Sequence, residues 1–224
     1  MRSGDLPTMR PVRSPFVLCA SGLLLAAGAL LSACSHTDES AASSTPRPAL
    51  AAAPNGAVTA FETVRAVLQD PRCQNCHPAG DAPLQGDEGR VHDQFVQRGP
   101  DGRGLPGEQC STCHGKSNLP DSYGPRQPPG VSTEWHLPPA EMKMVFVGMS
   151  SRALCEQLKD PARNGHKDLA ELVKHVSSDP LVLWAWSPGL GRRPVPISHA
   201  DFVAAFRRWT DAGAPCPTGA TASR

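Results

Sequence analysis

The feature that most restricts this chain is a short motif that occurs twice. Arg72 to Asp81 reads "RCQNCHPAGD", and Gln109 to Asn118 reads "QCSTCHGKSN". Each contains Cys-x-x-Cys-His, first at Cys73, Cys76 and His77 and again at Cys110, Cys113 and His114. Paired thiols at this spacing suit a zinc ribbon, a redox disulfide or covalent attachment of a haem. These chemistries need different compartments, so the compartment comes first.

Arg2, Arg10 and Arg13 precede an uncharged apolar run, "FVLCASGLLLAAGALL", from Phe16 to Leu31. That run has the length of a signal-peptide core and falls short of the ~20 apolar residues of a comfortable membrane span. It ends in Leu31-Ser32-Ala33-Cys34, which resembles the lipobox of bacterial lipoproteins. The resemblance implies cleavage after residue 33 and lipid on the sulfur of Cys34. Met9 is an alternative start, since "MRPVRSPFVLC" gives a more ordinary leader. A plain secretory signal with an incidental cysteine is a second alternative. All of these export the chain. More than one acyl chain on Cys34 would anchor it stably on the periplasmic side. Ser35, in place of Asp, resembles the sorting pattern that leads to the outer membrane.

Residues 34–57 then read as the lipidated cysteine and a flexible tether. This stretch is rich in Ser, Ala and Pro and nearly free of large apolar residues. Residues 58–217 suit one domain, and 218–224 a disordered tail. Without Arg2, Arg10, Arg13 and Asp5, the 22 basic and 21 acidic residues become 19 and 20, a net charge of −1. There is no basic stripe and a single Tyr, which argues against nucleic acid as a partner.

Cysteine accounting narrows the motif chemistry. Of eight cysteines, Cys19 leaves with the signal, Cys34 carries lipid and four lie in the motifs. Cys155 and Cys216 remain, and in an oxidising compartment they read as one disulfide. A four-cysteine zinc ribbon would not use the His after each pair. A thioredoxin-like motif needs a βαβ context that is not visible here. Covalent haem uses all three residues: both thiols add to the porphyrin vinyl groups, and the His directly after them ligates the iron. The sequence therefore implies two haem c groups, held by Cys73, Cys76 and His77 and by Cys110, Cys113 and His114.

The expected fold is mainly α with extensive Gly/Pro-rich loops, a small dihaem cytochrome c domain packed around two covalently attached haems. "VTAFETVRAVLQD", 58–70, has helical apolar spacing with Thr59-x-x-Glu62 as a capping box. Further helices are expected at 150–160, 167–177 and 198–212, the last opening with Ser198-x-x-Asp201 and stopped by Gly213 and Pro215. Residues 99–139 are crowded with Gly and Pro, and no strand run stands out. Trp184 and Trp186 are large enough to cover a porphyrin face, although core packing is the plainer reading.

Each iron has a second axial position to fill. His92, in a polar loop between the motifs, and His136, stiffened by the following Leu137-Pro138-Pro139, are the expected metal ligands. His175 and Met142 are the substitutes, and an iron left five-coordinate is a further alternative. His166 and His199 read as a turn and an exposed residue. A Met ligand would raise the potential relative to a second His.

Six segments carry a wider resemblance: "RCQNCHPAGDAPLQGDEGRVH", "RGPDGRGLPGEQCSTCHG", "WHLPPAEM", "LCEQLKDPARNG", "HVSSDPLVLWAWSPG" and "FRRWTDAGAPCP". With these the chain resembles a family of exported dihaem cytochromes described as isoquinoline 1-oxidoreductase-like subunits. The resemblance implies an electron acceptor facing the periplasm. Its donor would be a molybdenum hydroxylase type of dehydrogenase, and its acceptor a member of the respiratory chain. The competing reading is a haem-dependent enzyme with one open iron, such as a small peroxidase or dehydrogenase. Asp81 and Glu141 would be its generic acid–base groups. A haem-based sensor is a third reading.

Overall fold

The first helix, α1, spans Pro54–Leu68 and buries one side completely: Ala57, Phe61 and Val64 are all at 0% exposure. The computed structural model describes residues 54–219. The expected signal peptide, lipidated Cys34, most of the tether and most of the tail therefore lie outside the described residues. Among the described residues no helix is long and apolar enough to cross a membrane.

α1 starts earlier than its periodicity suggests. Residues 54–57, expected as tether, already form its first turn, with Pro54 at the helix start where a missing N–H costs little. Thr59 is consequently an interior residue. Its hydroxyl donates to the Asn55 carbonyl (2.8 Å), so the expected capping box with Glu62 does not form. Glu62 instead pairs with Arg65 Nε (2.6 Å) and accepts a bond from the Ser151 hydroxyl. That second contact ties α1 to the helix that begins at Ser151.

Three further helices complete the scaffold: α3 (Ser151–Lys159), α4 (Leu169–Ser178) and α6 (His199–Asp211). Each is opened by a side-chain cap, from Ser150, Asp168 and Ser198 respectively, and Asp168 forms a full capping box with Glu171. Two single-turn helices, α2 (Pro71–Gln74) and α5 (Pro180–Leu183), both begin with proline behind an aspartate cap, Asp70 and Asp179.

α1 packs most extensively on α6, and α4 packs on α6 and α5. The core they share holds Phe61, Val64, Leu154, Leu172, Phe206 and Trp209. Trp209 is fully buried, 5.0 Å from Phe61 and 5.3 Å from Phe206 between ring centres, and its indole N–H donates to the Pro215 carbonyl. Cys155 on α3 and Cys216 beyond α6 lie at disulfide distance, 2.01 Å.

The middle of the chain, between α2 and α3, is loop with two small antiparallel hairpins. β1 (Leu84–Gln85) pairs with β2 (Arg90–Val91), and β3 (Gly104–Leu105) pairs with β4 (Glu108–Gln109). Strands of two residues leave no alternation to detect, which is why none was expected. The second hairpin does have a local signature: Pro106-Gly107 forms its turn, with Gly107 at φ +89°.

The loops hold together through backbone contacts more than through apolar surface. Gly102 (φ +84°) lies so close to the Leu137 and Pro138 backbone that a Cβ there would collide with the Leu137 carbonyl, and the Leu137 N–H donates to the Gly102 carbonyl (2.9 Å). Buried Arg98 adds a strut, donating to the Pro138 and Gly80 carbonyls. A smaller apolar cluster of Cys110, Val131 and Trp135 sits among these loops, flanked by Leu181 and Trp184.

The Cys155–Cys216 bond closes a span of 61 residues. In the chain-entropy account, replacing both with Ala should lower unfolding stability by about 4 kcal/mol. Urea unfolding of the variant and parent checks this, with a lower midpoint expected and a steeper slope, because the unfolded chain without the cross-link exposes more surface.

Candidate haem-attachment sites

Both motif segments are wound by short-range hydrogen bonds. In the first, the Asp70 carboxylate accepts from the Arg72 N–H (2.8 Å), and the Cys76 and His77 N–H groups donate to the Cys73 and Gln74 carbonyls (3.2 and 3.1 Å). In the second, the Cys113 and His114 N–H groups both donate to the Cys110 carbonyl (3.2 and 2.9 Å). The cysteines of each pair are thus three residues apart on a tight turn, where side chains share a face.

The two motif histidines have matching surroundings. His77 Nδ1 lies 2.8 Å from the Met144 carbonyl, and His114 Nδ1 lies 2.8 Å from the Pro129 carbonyl. His77 stacks on Phe146 at 3.9 Å between centroids and 17° between planes; His114 stacks on Trp135 at 4.6 Å and 6°. Burial pushes both rings down to about 4, outweighing the carbonyl bonds that favour the charged form. The rings are therefore neutral at pH 7. A carbonyl only accepts, so the proton sits on Nδ1 and Nε2 keeps its lone pair. An imidazole oriented in this way, through its other nitrogen, is the usual state of a metal-binding histidine.

Three of the four motif thiols are held protonated by burial. Burial raises the Cys73 pKa far above the usual thiol range and pushes Cys76 up to about 11; it raises Cys110 too. Cys113 is exposed. A redox Cys-x-x-Cys pair needs one thiol with a lowered pKa, and the first motif supplies the opposite. Among the described residues, no three of His, Cys, Asp or Glu converge to hold a metal ion, as a four-cysteine zinc site would require.

A cavity of about 400 Å³ lies against the first motif and is lined by Cys73, Cys76 and His77. That falls within the ~300–1,000 Å³ of cofactor pockets. Its walls are largely apolar and come from helices far apart in sequence, including Leu68, Leu172, Val176, Phe202 and Phe206. The sequence candidates His136, His175 and Met142 all line it, as do His166 and Met144. His136 Nδ1 is tied to the Glu134 carbonyl (2.8 Å). His175 Nδ1 is 3.2 Å from the Asp179 carboxylate.

The second motif faces a different arrangement. His92 stands beside His114 with ring centres 6.3 Å apart and planes at 57°. Its Nδ1 lies 2.7 Å from the Asp93 carbonyl, which leaves Nε2 free as in the motif histidines. The loop continues through Gln94 (φ +61°) and Phe95 (φ +56°), both left-handed, and holds Phe95 at 89% exposure.

The remaining candidates have other contacts. His199, expected to be exposed, is part-buried, with Nε2 2.9 Å from the Val176 carbonyl and its ring 4.7 Å from Trp186. It fastens α6 to α4. Trp186 lines the first cavity, while Trp184 packs edge-on against Trp135 (5.2 Å). Asp81 is paired with Lys143 (2.9 Å), whose hydrogen bond and charge hold its carboxyl below the usual range. Glu141 is exposed at the cavity. Two buried arginines, Arg72 and Arg98, escaped sequence reasoning because nothing local distinguishes a buried arginine from an exposed one. No family model, curated protein or solved structure matches this chain.

The depressed histidine values carry a pH signature for the cofactor-free chain. Unfolded histidines take up protons near 6.5, the folded ones only near 4. Stability contributed by His77 and His114 is then full above about 6.5 and lost progressively as pH falls toward about 4. Urea midpoints across that window should fall in the parent and flatten in a His77→Gln, His114→Gln variant.

Proposed function

We propose that this chain is an exported dihaem c-type cytochrome that carries electrons between a periplasmic-side dehydrogenase and the respiratory chain. The observation that carries the reading is the twice-built imidazole. Beside each cysteine pair stands a neutral histidine, Nδ1 fixed by a carbonyl from a distant loop and Nε2 free. A haem iron takes four ligands from its porphyrin, so it needs no convergence of three protein ligands. It needs one imidazole per motif and a second axial group, and these residues fit that requirement.

Two further details support the fit. His92 and His114 would together hold the metal at the second motif, since each has Nδ1 turned to a carbonyl and Nε2 free. Their ring centres stand 6.3 Å apart. We therefore assign His92 as the second ligand at the second motif. Phe95 beside it is apolar cover for that site. At the first motif His175 is preferred to His136 and Met142. Its Nδ1 is oriented by a carboxylate, the arrangement that fixes a ligating histidine and strengthens it as a donor.

When bound, haem supplies the one-electron chemistry. The chain's part is to hold each imidazole in one tautomer, to bury the first site in an apolar cavity and to leave Cys113 exposed at the second. The unlike burial gives the two sites different solvation, and hence different potentials. The lipid-anchored, periplasmic setting follows from the Cys34 segment. A molybdenum hydroxylase as donor rests on the family resemblance alone.

The test is a potentiometric titration of the matured, exported chain followed by visible spectroscopy. Two low-spin c-type haems with separate potentials, both below those of His/Met haems, are expected. His92→Ala should turn one haem high-spin and open it to carbon monoxide, and His175→Ala the other. A parent that binds carbon monoxide at once would favour the enzyme reading, and a parent without haem would refute the assignment.

A further inference from the structure

Arg72 is 4% exposed and immediately precedes Cys73. Its Nη2 donates to the Gly86 carbonyl (2.8 Å) and pairs with Asp87 (2.6 Å), both in the β1–β2 loop. Its Nη1 is fully buried and has no hydrogen-bond partner, and the side chain lines the cavity at the first motif. A buried guanidinium N–H left without an acceptor costs more than an ordinary missing hydrogen bond, because a charged donor has been stripped of water. Such an atom, in a residue that lines the cavity beside the first motif, marks the place of an acceptor.

The charge around it points to an anion. Asp87 is shared: its other oxygen faces Arg193 Nε at 3.3 Å. Burial raises the Asp87 pKa, yet the charges of Arg72 and Arg193 prevail and hold it below the usual range. Arg192 lies near enough to feel Arg72 and Arg126 as repelling neighbours, and its own hydrogen bonds go to the uncharged Pro188 and Gln127 carbonyls. One carboxylate thus serves two guanidinium groups, with a third close by. Arg98, also buried, is less suited: its Nε lacks a hydrogen bond but faces the Asp81 carboxylate at 3.8 Å, it does not line the cavity, and its fork is used by the Pro138 and Gly80 carbonyls.

Haem carries two carboxylate side chains, its propionates. We propose that the free Nη1 of Arg72 anchors a propionate of the haem at the first motif, with Asp87 orienting the guanidinium from behind. The inference rests on the dihaem reading and adds to it a residue that positions the group and sets its potential. A fixed positive charge there favours the reduced, more negative form, so Arg72 raises the potential of one haem and leaves the other nearly unmoved.

The test uses the full matured chain and its Arg72→Gln, Arg72→Lys and Arg193→Gln variants. Two readouts are taken, the individual reduction potentials and the propionate bending bands in resonance Raman spectra. The expected result is a lower potential for one haem in Arg72→Gln, with a shifted propionate band. Arg72→Lys should recover the potential by keeping the charge but not the band, because the fork is gone. Arg193→Gln, at an exposed residue that does not line the cavity, should leave the band in place. Unchanged potentials and bands in Arg72→Gln would overturn the proposal while leaving both haems counted. If that variant does not fold, the Arg72→Lys band decides: a shift supports the anchor and an unmoved band refutes it. A parent with no haem removes the reading underneath.

Discussion

Everything in this molecule's candidate chemistry depends on one kind of hydrogen bond, from an imidazole Nδ1–H to a backbone carbonyl. Met144 and Pro129 supply those carbonyls from loops 67 and 15 residues beyond the histidines they hold. The bond fixes tautomer, ring plane and the direction of Nε2 together, and the stacked Phe146 or Trp135 keeps water from competing for it. Without it a neutral, half-buried histidine would be free to rotate, and either nitrogen would face the site. The Phe146 N–H closes the arrangement by donating to the His77 carbonyl (3.0 Å), so motif and loop hold each other.

The rest of the fold can be understood as support for those two loops. The helices α1, α3, α4 and α6 make one apolar core that ends at the first cavity, where Leu172, Val176, Phe202 and Phe206 serve both as core and as wall. The disulfide ties the start of that helical unit to its end. By contrast, the second motif rests on a cluster of three buried residues, glycine-tight turns and a strut of Arg98. A region with so little apolar surface of its own is held by bonds to main-chain carbonyls: Gly102 accepts from the Leu137 N–H and Pro138 from the Arg98 guanidinium. This asymmetry is also the asymmetry of the proposed haem sites, one in an apolar cavity and one at the surface.

Much of this was legible in the sequence, for identifiable reasons. The capped helices at Ser150 and Ser198 carry their signals within one turn, so local reading finds them. α1 was read four residues short because its first turn is small residues behind Pro54, which imitate a tether. Thr59 and Glu62 have the spacing of a capping box, but that spacing also fits the middle of a helix, and only the upstream turn decides. The distal candidates divide the same way. His92 was nominated because a lone histidine in a polar loop has little else to do, whereas the choice among His136, His175 and Met142 depends on a cavity assembled from residues some hundred positions apart. Sequence spacing has no access to that, nor to the burial of Arg72.

The central claim is that both Cys-x-x-Cys-His segments hold a haem covalently, and intact-mass measurement of the exported, matured chain addresses it most directly. The account predicts a mature chain heavier by two haems, heavier by one in a Cys73→Ser, Cys76→Ser variant, and by one again in Cys110→Ser, Cys113→Ser. A parent mass without haem, with the four motif cysteines found as disulfides or bound to zinc, would contradict it.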